Sequence, residues 1–228
     1  LKTIFTNRPL LAMFLFFSGH KIYYFLQYTT ATYLFKYYFN DFGKLGTFMM
    51  VFNLAAVVGV LFGPLWRKIW KDTKRAFVTC MCAHVLFLGI ITVAFNSLTS
   101  GAFIALSFAS SFFAGLLENY IMPMFAASAD YSAWKSGQRL DGISMSIYSL
   151  AARTGTLGAT IIRTAVMAAI GYDALVKGGE VTLEILKGLG SMHSIIPFAI
   201  SILCLLVIIF VFPLNDKKIA MINKDLAE

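Results

Sequence analysis

Three cationic side chains lie inside stretches of sequence that are otherwise apolar. Arg153 is near the middle of residues 143–170, Arg163 follows it in the same stretch, and Lys21 lies in the first apolar stretch of the chain. A charge at bilayer depth costs on the order of a few kcal/mol or more, so such residues usually face a protein interior or a water-filled cavity. The pattern therefore predicts a membrane transporter in which these charges mark the path of a polar substrate.

The stretch around Arg153 has two chemically different faces when it is read as a helix. At about 100° per residue, its polar residues fall on one arc: Ser146, Ser149, Arg153, Thr156, Thr160 and Arg163. The opposite side carries small residues, which let another helix approach closely: Ala151, Gly155, Gly158, Ala165 and Ala169. Hydroxyl groups that only hydrogen-bond to their own helix would explain the serines and threonines but not the arginines. We predict that the polar arc lines a cavity, that Ser149, Arg153 and Thr156 bind substrate, and that Arg163 lies near the outer mouth.

The first apolar stretch repeats this arrangement. One helical face carries His20, Lys21, Tyr24, Gln27 and Tyr28. Aromatic rings offer flat apolar surfaces to a sugar ring, and a few polar groups among them fix its orientation. An aromatic belt at the membrane surface would explain the tyrosines further along but not the lysine. We therefore predict substrate contacts from Lys21, Tyr24, Gln27 and Tyr28.

An acid, Glu118, lies in the fourth apolar stretch. With a helical rise of about 1.5 Å per residue, Glu118, Lys21 and Arg153 reach similar depths near the middle of a membrane. Ionisable residues inside a membrane usually pair with one another. We hypothesise that Glu118 belongs to a charge network and forms an ion pair with Arg153. His84, alone in the third stretch, is expected to be a hydrogen-bonded packing residue.

The composition predicts the helices that position these residues. The chain of 228 residues is 59% hydrophobic and 13% charged, with a mean hydropathy of +0.76, whereas soluble domains are about 45–50% apolar and about 25% charged. The apolar residues form six blocks, each able to span a hydrocarbon core of about 30 Å, at residues 10–35, 46–66, 77–95, 101–127, 143–170 and 195–212. Backbone groups in lipid must be satisfied internally, so these blocks are expected to be helices. We predict an all-α membrane protein with a six-helix bundle over residues 1–214, a long loop over 128–142, a short surface helix near 181–189 and a polar tail over 215–228.

The net charge of +8 follows this topology and does not indicate a nucleic-acid partner. Most Lys and Arg residues lie in the termini and the even-numbered loops, including the basic loop over residues 67–75. Because cytoplasmic loops are enriched in Lys and Arg, we expect an integral protein of the plasma (bacterial inner) membrane, in contact with lipid, with both termini cytoplasmic. The sequence has no Walker loop, no metal-ligand cluster and no Ser/His/Asp constellation, so we expect no enzyme activity and no cofactor.

Residues 129–158 carry a family resemblance. The segment ADYSAWKSGQRLDGISMSIYSLAARTGTLG resembles the region around helices ten and eleven of the glycoside–pentoside–hexuronide cation symporters, the melibiose-permease-like branch of the major facilitator superfamily. The matching residues are Asp130, Tyr131, Trp134, Lys135, Gly137, Arg139 and Gly142. Weaker matches to the same family occur before and after this segment, in order along essentially the whole chain. The resemblance implies that the six helices are helices seven to twelve of a twelve-helix symporter and that the N-terminal half lies outside this sequence. We predict that Asp130, Arg139 and Arg163 belong, with Glu118, to a charge and gating network.

The same resemblance implies cation-coupled uptake of a sugar or glycoside by alternating access. The family usually has a lysine where this chain has Arg153, and a guanidinium adds a planar donor fork that suits a carboxylate, sulfonate or phosphate. We therefore expect an anionic substrate such as a hexuronide or a sulfonated sugar. The coupling cation, Na⁺ or H⁺, is expected to bind mainly in the other half.

Three alternatives stay open on the sequence alone. Acids in the other half would neutralise the cations and leave a neutral-sugar transporter. A six-helix membrane scaffold or binding protein would oligomerise through the small-residue faces. A half-size transporter would dimerise.

Overall fold

The computed structural model describes residues 7–137, 141–172 and 179–226, and in these ranges the chain is helical without a strand. The α-helices of the described residues are α1 (Arg8–Tyr33), α2 (Leu45–Trp70), α3 (Thr73–Ala94), α4 (Ser100–Ser136), α5 (Asp141–Ala169), α6 (Leu183–His193), α7 (Ile195–Phe210) and α8 (Asp216–Asp225). A π-helical turn at Leu34–Tyr38 extends α1. The predicted all-α class is confirmed.

Short polar side chains mark where the helices begin. Asn7, Asp72, Thr99, Thr182 and Asn215 each precede a helix, and each accepts a hydrogen bond from the backbone N–H three residues later. This satisfies one of the N–H groups that a helix N-terminus leaves without a partner. These capping residues therefore mark the starts of α1, α3, α4, α6 and α8.

Within the described parts of the chain, five helical segments are long and apolar enough to cross a membrane. They are Arg8–Tyr38, Phe42–Trp70, Thr73–Ser97, Ser100–Lys135 and Leu183–Phe210. The helix α5 has 29 residues but is not among them, because Gly, Ser, Thr and the arginines replace bulky apolar side chains along it. The sixth predicted crossing therefore stays a prediction.

Two loop predictions are corrected. The helix α4 continues to Ser136, through much of the predicted loop over 128–142, and Ala129 and Ala133 remain buried there. The predicted short helix near 181–189 is found as α6, but it runs over Leu183–His193, with Leu183, Glu184 and Lys187 exposed. On its other face, Ile185, Leu189 and Met192 are almost fully buried. They pack with Leu26 of α1 and Ala159 of α5, so the apolar face of α6 is covered by the bundle.

The helix α4 packs along α2 and α3, whereas α1 packs against α5 and α7. The backbones of α2 and α4 touch: a Cβ added at Gly115 would lie 2.1 Å from the Ala56 carbonyl oxygen, and one at Gly59 would lie 2.1 Å from the Phe112 carbonyl oxygen. Only glycine allows this approach. These glycines therefore fix the separation of the two helices.

The small face of α5 behaves as predicted over part of its length. Ala151, Gly155 and Ala159 are buried, and a Cβ at Gly155 would lie 2.5 Å from both the Ser18 carbonyl oxygen and the Lys21 Cβ of α1. Ala165 and Ala169 are exposed instead. The later turns of α5 pack through larger residues such as Ile162 and Val166, so the close approach is limited to the segment around Gly155.

One end of the bundle gathers basic side chains from distant parts of the sequence. Arg8 donates hydrogen bonds to the carbonyl oxygens of Phe210 and Val211, and Arg67 pairs with Asp216. The start of α1, the α2–α3 loop and α8 therefore meet here, and we call this the basic end. At the opposite end, hydrogen bonds from Lys44 and Ser100 hold the pKa of Asp41 below its usual value, because these donors favour the carboxylate.

The glycine contact gives a prediction about stability. Gly115→Ala should force α2 and α4 apart and lower the free energy of unfolding by about 1–3 kcal/mol, the usual cost of overpacking. The measurement is thermal unfolding of the full-length protein in detergent. Gly101→Ala is the matched control, because a Cβ at Gly101 would meet nothing within 4 Å. Equal melting temperatures for the two variants would contradict this account.

Candidate functional site

Glu118 of α4 contacts an imidazole and an ammonium group of α1. Its Oε1 is 3.0 Å from His20 Nε2 and 3.3 Å from Lys21 Nζ. We call His20, Lys21 and Glu118 the charge cluster. The predicted meeting of Lys21 and Glu118 at similar depth is thus found, with His20 added to it.

The predicted Glu118–Arg153 ion pair is wrong for this structure. The ion pairs of the described residues join Glu118 to His20 and Lys21 and do not include Arg153. The physical reason is the orientation of α5. Because α5 packs on α1 through Gly155, the arc that carries Arg153 points to the opposite side, where Arg153 is exposed.

His20 continues the charge cluster into the core. With the ring proton on Nε2, the Tyr23 hydroxyl donates to Nδ1 across 2.5 Å. The Tyr23 ring stacks on His84 with a centroid separation of 4.9 Å, and His84 Nδ1 lies 3.0 Å from the Ser110 carbonyl oxygen. His84 is therefore a buried, hydrogen-bonded packing residue, as predicted. The carboxylate, imidazole and phenol form one hydrogen-bonded chain between the open side of α1 and its buried side.

Lys21 connects the charge cluster to α5. Its ammonium lies 4.8 Å from the centre of the Phe17 ring, and Phe17 stacks on Tyr148 of α5 at 4.6 Å. The side chains of Lys21 and Glu118 keep 22% and 38% of their exposure. A cation over an aromatic face gains further stabilisation when it is partly desolvated. The charge cluster is thus anchored on three helices and remains accessible from one side.

An aromatic surface continues from the charge cluster along α1. Tyr24 and Tyr28 stack with a centroid separation of 6.4 Å, and both contact Phe52 of α2. Tyr28 is 37% exposed. We call these three rings the aromatic surface. Two of the predicted substrate residues therefore lie together beside Lys21, whereas predicted Gln27 is buried at 4% exposure and does not reach that open surface.

The polar arc of α5 is exposed, as a cavity-lining arc should be. Ser149, Arg153 and Thr160 are exposed, and Thr156 and Arg163 are partly exposed. Thr156 and Thr160 donate hydrogen bonds to carbonyl oxygens of their own helix, so ordinary back-bonding does account for these hydroxyls. It does not account for the arginines, neither of which has an ion pair with another described residue.

The other predicted network residues are separate from this site. Asp130 lies in the last turns of α4, twelve residues or about 18 Å along the helix from Glu118. Arg139 lies outside the described residues. Sequence reasoning missed that His20 is a partner of Glu118, although His20 precedes Lys21 and so has the same depth. The adjacent hydrogen-bond donors His20 and Lys21 were the signal that could have identified it.

Comparisons with known proteins agree with a transport protein. The model of a family described as MFS/sugar transport protein matches residues 1–216. A putative sulfoquinovose importer of Escherichia coli (strain K12) is 25% identical over 224 residues, covering 98% of this chain and 46% of that protein. A glucuronide carrier protein homolog of the same strain is 24% identical over 222 residues, covering 96% of this chain and 47% of that protein. The chain therefore spans about half the length of these curated relatives.

The contacts of Glu118 can be tested with double-mutant cycles. Glu118→Gln combined with Lys21→Gln should give a coupling energy within about 0.5–3 kcal/mol, because contacting residues are not additive. The value should fall in the lower part of that range, since solvent screens a carboxylate that is 38% exposed. Thermal unfolding of the four full-length proteins measures the coupling.

The matched cycle combines Glu118→Gln with Arg153→Gln. The two effects should add, because the structure has no contact between these side chains. Coupling with Arg153 and additivity with Lys21 would reverse the assignment of the Glu118 partner.

Proposed function

We propose that this chain, which belongs to the MFS/sugar transport protein family, is the C-terminal half of a transporter that carries an anionic sugar across a membrane. The observation that carries the proposal is the guanidinium of Arg153. It lies exposed on the polar arc of α5, in a stretch otherwise long enough to cross a membrane, without a counter-charge among the described residues. A cation at such a position needs an anionic partner from elsewhere, and a substrate can supply it.

The chemistry of arginine favours an acidic group on that substrate. A guanidinium donates two parallel hydrogen bonds to a carboxylate or sulfonate, which adds geometric specificity to the charge. Arg163 lies on the same arc and has no described ion pair either. The names of the two relatives, a putative sulfoquinovose importer and a glucuronide carrier protein homolog, both refer to sugars with an acidic group. They support the same substrate class.

The aromatic surface suits the apolar part of a sugar. Tyr24 and Tyr28 present stacked rings beside Lys21, which is held by Glu118. A pyranose ring has flat C–H faces and equatorial hydroxyls, so it can stack on a phenol while the hydroxyls meet charged or polar groups. We propose that the sugar ring contacts Tyr24 and Tyr28 and that its hydroxyls meet the charge cluster.

Alternating access requires a second six-helix half. Transporters of this type bind substrate near the bilayer midplane between two repeats that rock around it. The exposed arc of α5 faces away from this bundle, as a surface facing a second half would. The relatives are about twice as long as the chain, which favours a second half within one polypeptide over a dimer of half-size proteins. The scaffold alternative loses support, because Gly155 and Gly158 already contact α1.

We further propose the orientation in the membrane. Arg8, Arg67 and Lys74 make their hydrogen bonds at the basic end, where α8 also lies. Because Lys and Arg are enriched in cytoplasmic loops, the basic end would face the cytoplasm, with both termini on that side of the plasma (bacterial inner) membrane.

The substrate class is tested at Arg153. In cells or vesicles, uptake of a glucuronide by the full-length Arg153→Gln variant should fall by about ten- to a hundredfold, because a hydrogen bond to a charged group contributes about 1.5–3 kcal/mol. Arg153→Lys should retain part of the uptake activity, since lysine keeps the positive charge but lacks the two parallel donors of the guanidinium. Uptake of the matched neutral glycoside should be low in all three proteins.

Lys36→Gln is the control, because it removes an exposed cation outside the proposed site. A wild-type protein that prefers the neutral glycoside would refute the anionic substrate. Equal uptake by Arg153→Gln and Lys36→Gln would refute the role of Arg153.

Coupling to a cation is a separate proposal, with the cation bound mainly by the second half. In membrane vesicles that contain the full-length protein, an imposed Na⁺ or H⁺ gradient should drive uptake above the equilibrium level. The measurement is the accumulation ratio of labelled substrate with each gradient and with an ionophore that removes it. Equilibration without accumulation under both gradients would contradict symport.

A further inference from the structure

A cavity of about 760 Å³ opens at the basic end between the end of α2, the start of α3, the end of α7 and the start of α8. Its lining combines two kinds of surface. One part is cationic, with Lys71, Arg75 and Lys217, and another is apolar, with Trp70, Val78 and Ile209. We propose that this cavity binds an anionic phospholipid, with the headgroup on the cationic part and an acyl chain along the apolar part.

The cationic side chains are available because the neighbouring acids are otherwise engaged. Asp72 accepts hydrogen bonds from the backbone N–H groups of Arg75 at 2.9 Å and Asp216 at 3.1 Å, one on each oxygen. Asp216 accepts from the backbone N–H of Thr73 at 3.1 Å and pairs with Arg67 through its other oxygen. The four carboxylate oxygens therefore hold the α2–α3 loop and α8 together. Both carboxylates keep their negative charge, but the lining sets four cations, Lys71, Lys74, Arg75 and Lys217, against these two acids, so the cavity has a net charge of +2.

The cations that line the cavity fall into two groups. Lys74 donates to the carbonyl oxygens of Ile209 and Phe212, so it holds the end of α7 in place. Lys71, Arg75 and Lys217 are exposed and take no part in the ion pairs of the described chain. A phosphate diester placed among them would meet three cations that are otherwise paired only with solvent.

The apolar wall favours a lipid over a soluble anion. Ile209 of the cavity continues into Leu206 and Phe210 on the outside of α7, and these side chains are 38%, 42% and 69% exposed. In a membrane, exposed residues of this kind face acyl chains. Trp70, 38% exposed, stands where the cationic and apolar parts meet, which is the depth that Trp prefers at a membrane surface. A free phosphate would use only the cationic part.

The geometry also gives such a lipid a structural effect. Its headgroup would touch Lys71 and Arg75 from the α2–α3 segment and Lys217 from α8 at the same time. These are the two segments that Asp72 and Asp216 join. The bound lipid would therefore strengthen the attachment of α8 to the rest of the bundle.

The test measures lipid binding to the full-length protein. Phosphatidylglycerol is titrated into the detergent-purified protein, and the bound lipid is counted by native mass spectrometry, with phosphatidylcholine as the uncharged comparison. Lys71→Gln, Arg75→Gln and Lys217→Gln, combined in one variant, should weaken phosphatidylglycerol binding by about tenfold or more, since each basic residue near an anionic headgroup contributes substantially. Lys36→Gln, Lys68→Gln and Lys135→Gln combined are the matched control. They remove the same number of exposed cations outside the cavity and should bind as the wild type does.

Three results would overturn the proposal. The cavity variant and the control variant could bind phosphatidylglycerol equally, phosphatidylcholine could bind as tightly as phosphatidylglycerol, or inorganic phosphate at millimolar concentration could displace the lipid completely. The last result would identify a site for a soluble anion.

A second measurement locates the lipid without altering its headgroup site. Phosphatidylglycerol with brominated acyl chains quenches tryptophan fluorescence on contact. The fluorescence of the wild-type protein should therefore be quenched more than that of Trp70→Phe, and the difference is the emission of Trp70. In the variant that combines Lys71→Gln, Arg75→Gln and Lys217→Gln, the lipid should quench less of the Trp70 emission. The melting temperature of this variant shows whether it remains folded. Identical quenching of wild-type protein and Trp70→Phe would place the lipid elsewhere and overturn the proposal.

Discussion

The contact of Glu118 with His20 and Lys21 is the interaction on which the arrangement of α1, α4 and α5 depends. A carboxylate and an ammonium in an apolar bundle are each costly alone, and together they are tolerated only if the geometry holds them close. The Oε1 atom lies within 3.3 Å of both His20 Nε2 and Lys21 Nζ, and this requires α1 to lie against α4. Because Gly155 of α5 packs against α1 at Ser18 and Lys21, the polar arc of α5 faces away from the bundle.

This arrangement separates two uses of positive charge. The charge of Lys21 is neutralised inside the protein by Glu118, and its ammonium lies over the Phe17 ring. These two contacts hold the Lys21 side chain in place. Arg153 has no such neighbour in the described chain. Under the proposed function, its charge is balanced by the substrate or by a second half of the protein. The symporter family that this chain resembles usually has a lysine at this position. Arginine changes the site most where it has no ion pair, because both donor groups of its guanidinium are then free to select which anions bind.

Much of the fold followed from periodicity and composition. The two faces of α5, the apolar stretches and the aromatic face of α1 could be predicted, because a helix converts spacing in sequence into direction in space. The partner of Glu118 could not, because counting residues gives a depth but not the rotation of each helix or the identity of its neighbours. Gln27 shows the same limit. Its spacing places it on the same helical face as Tyr24 and Tyr28, yet the Gln27 side chain is buried within the bundle. The extent of α4 beyond residue 127 depended on burial of Ala129 and Ala133 by other segments, which no local pattern reveals.

The composition of α5 has a consequence for how the protein is made. A helix with arginines at positions 153 and 163 and with glycines at 155 and 158 would be a poor substrate for the insertion machinery by itself. Arg153, near the centre of the predicted crossing, alone adds about 2.5–3.5 kcal/mol on insertion scales. The glycines contribute little apolar surface in compensation, and they become useful only once α1 is in place to receive them. Partitioning of α5 into the membrane would then be coupled to its docking on helices synthesised earlier, so biogenesis of this bundle would be cooperative and ordered from the N-terminal side.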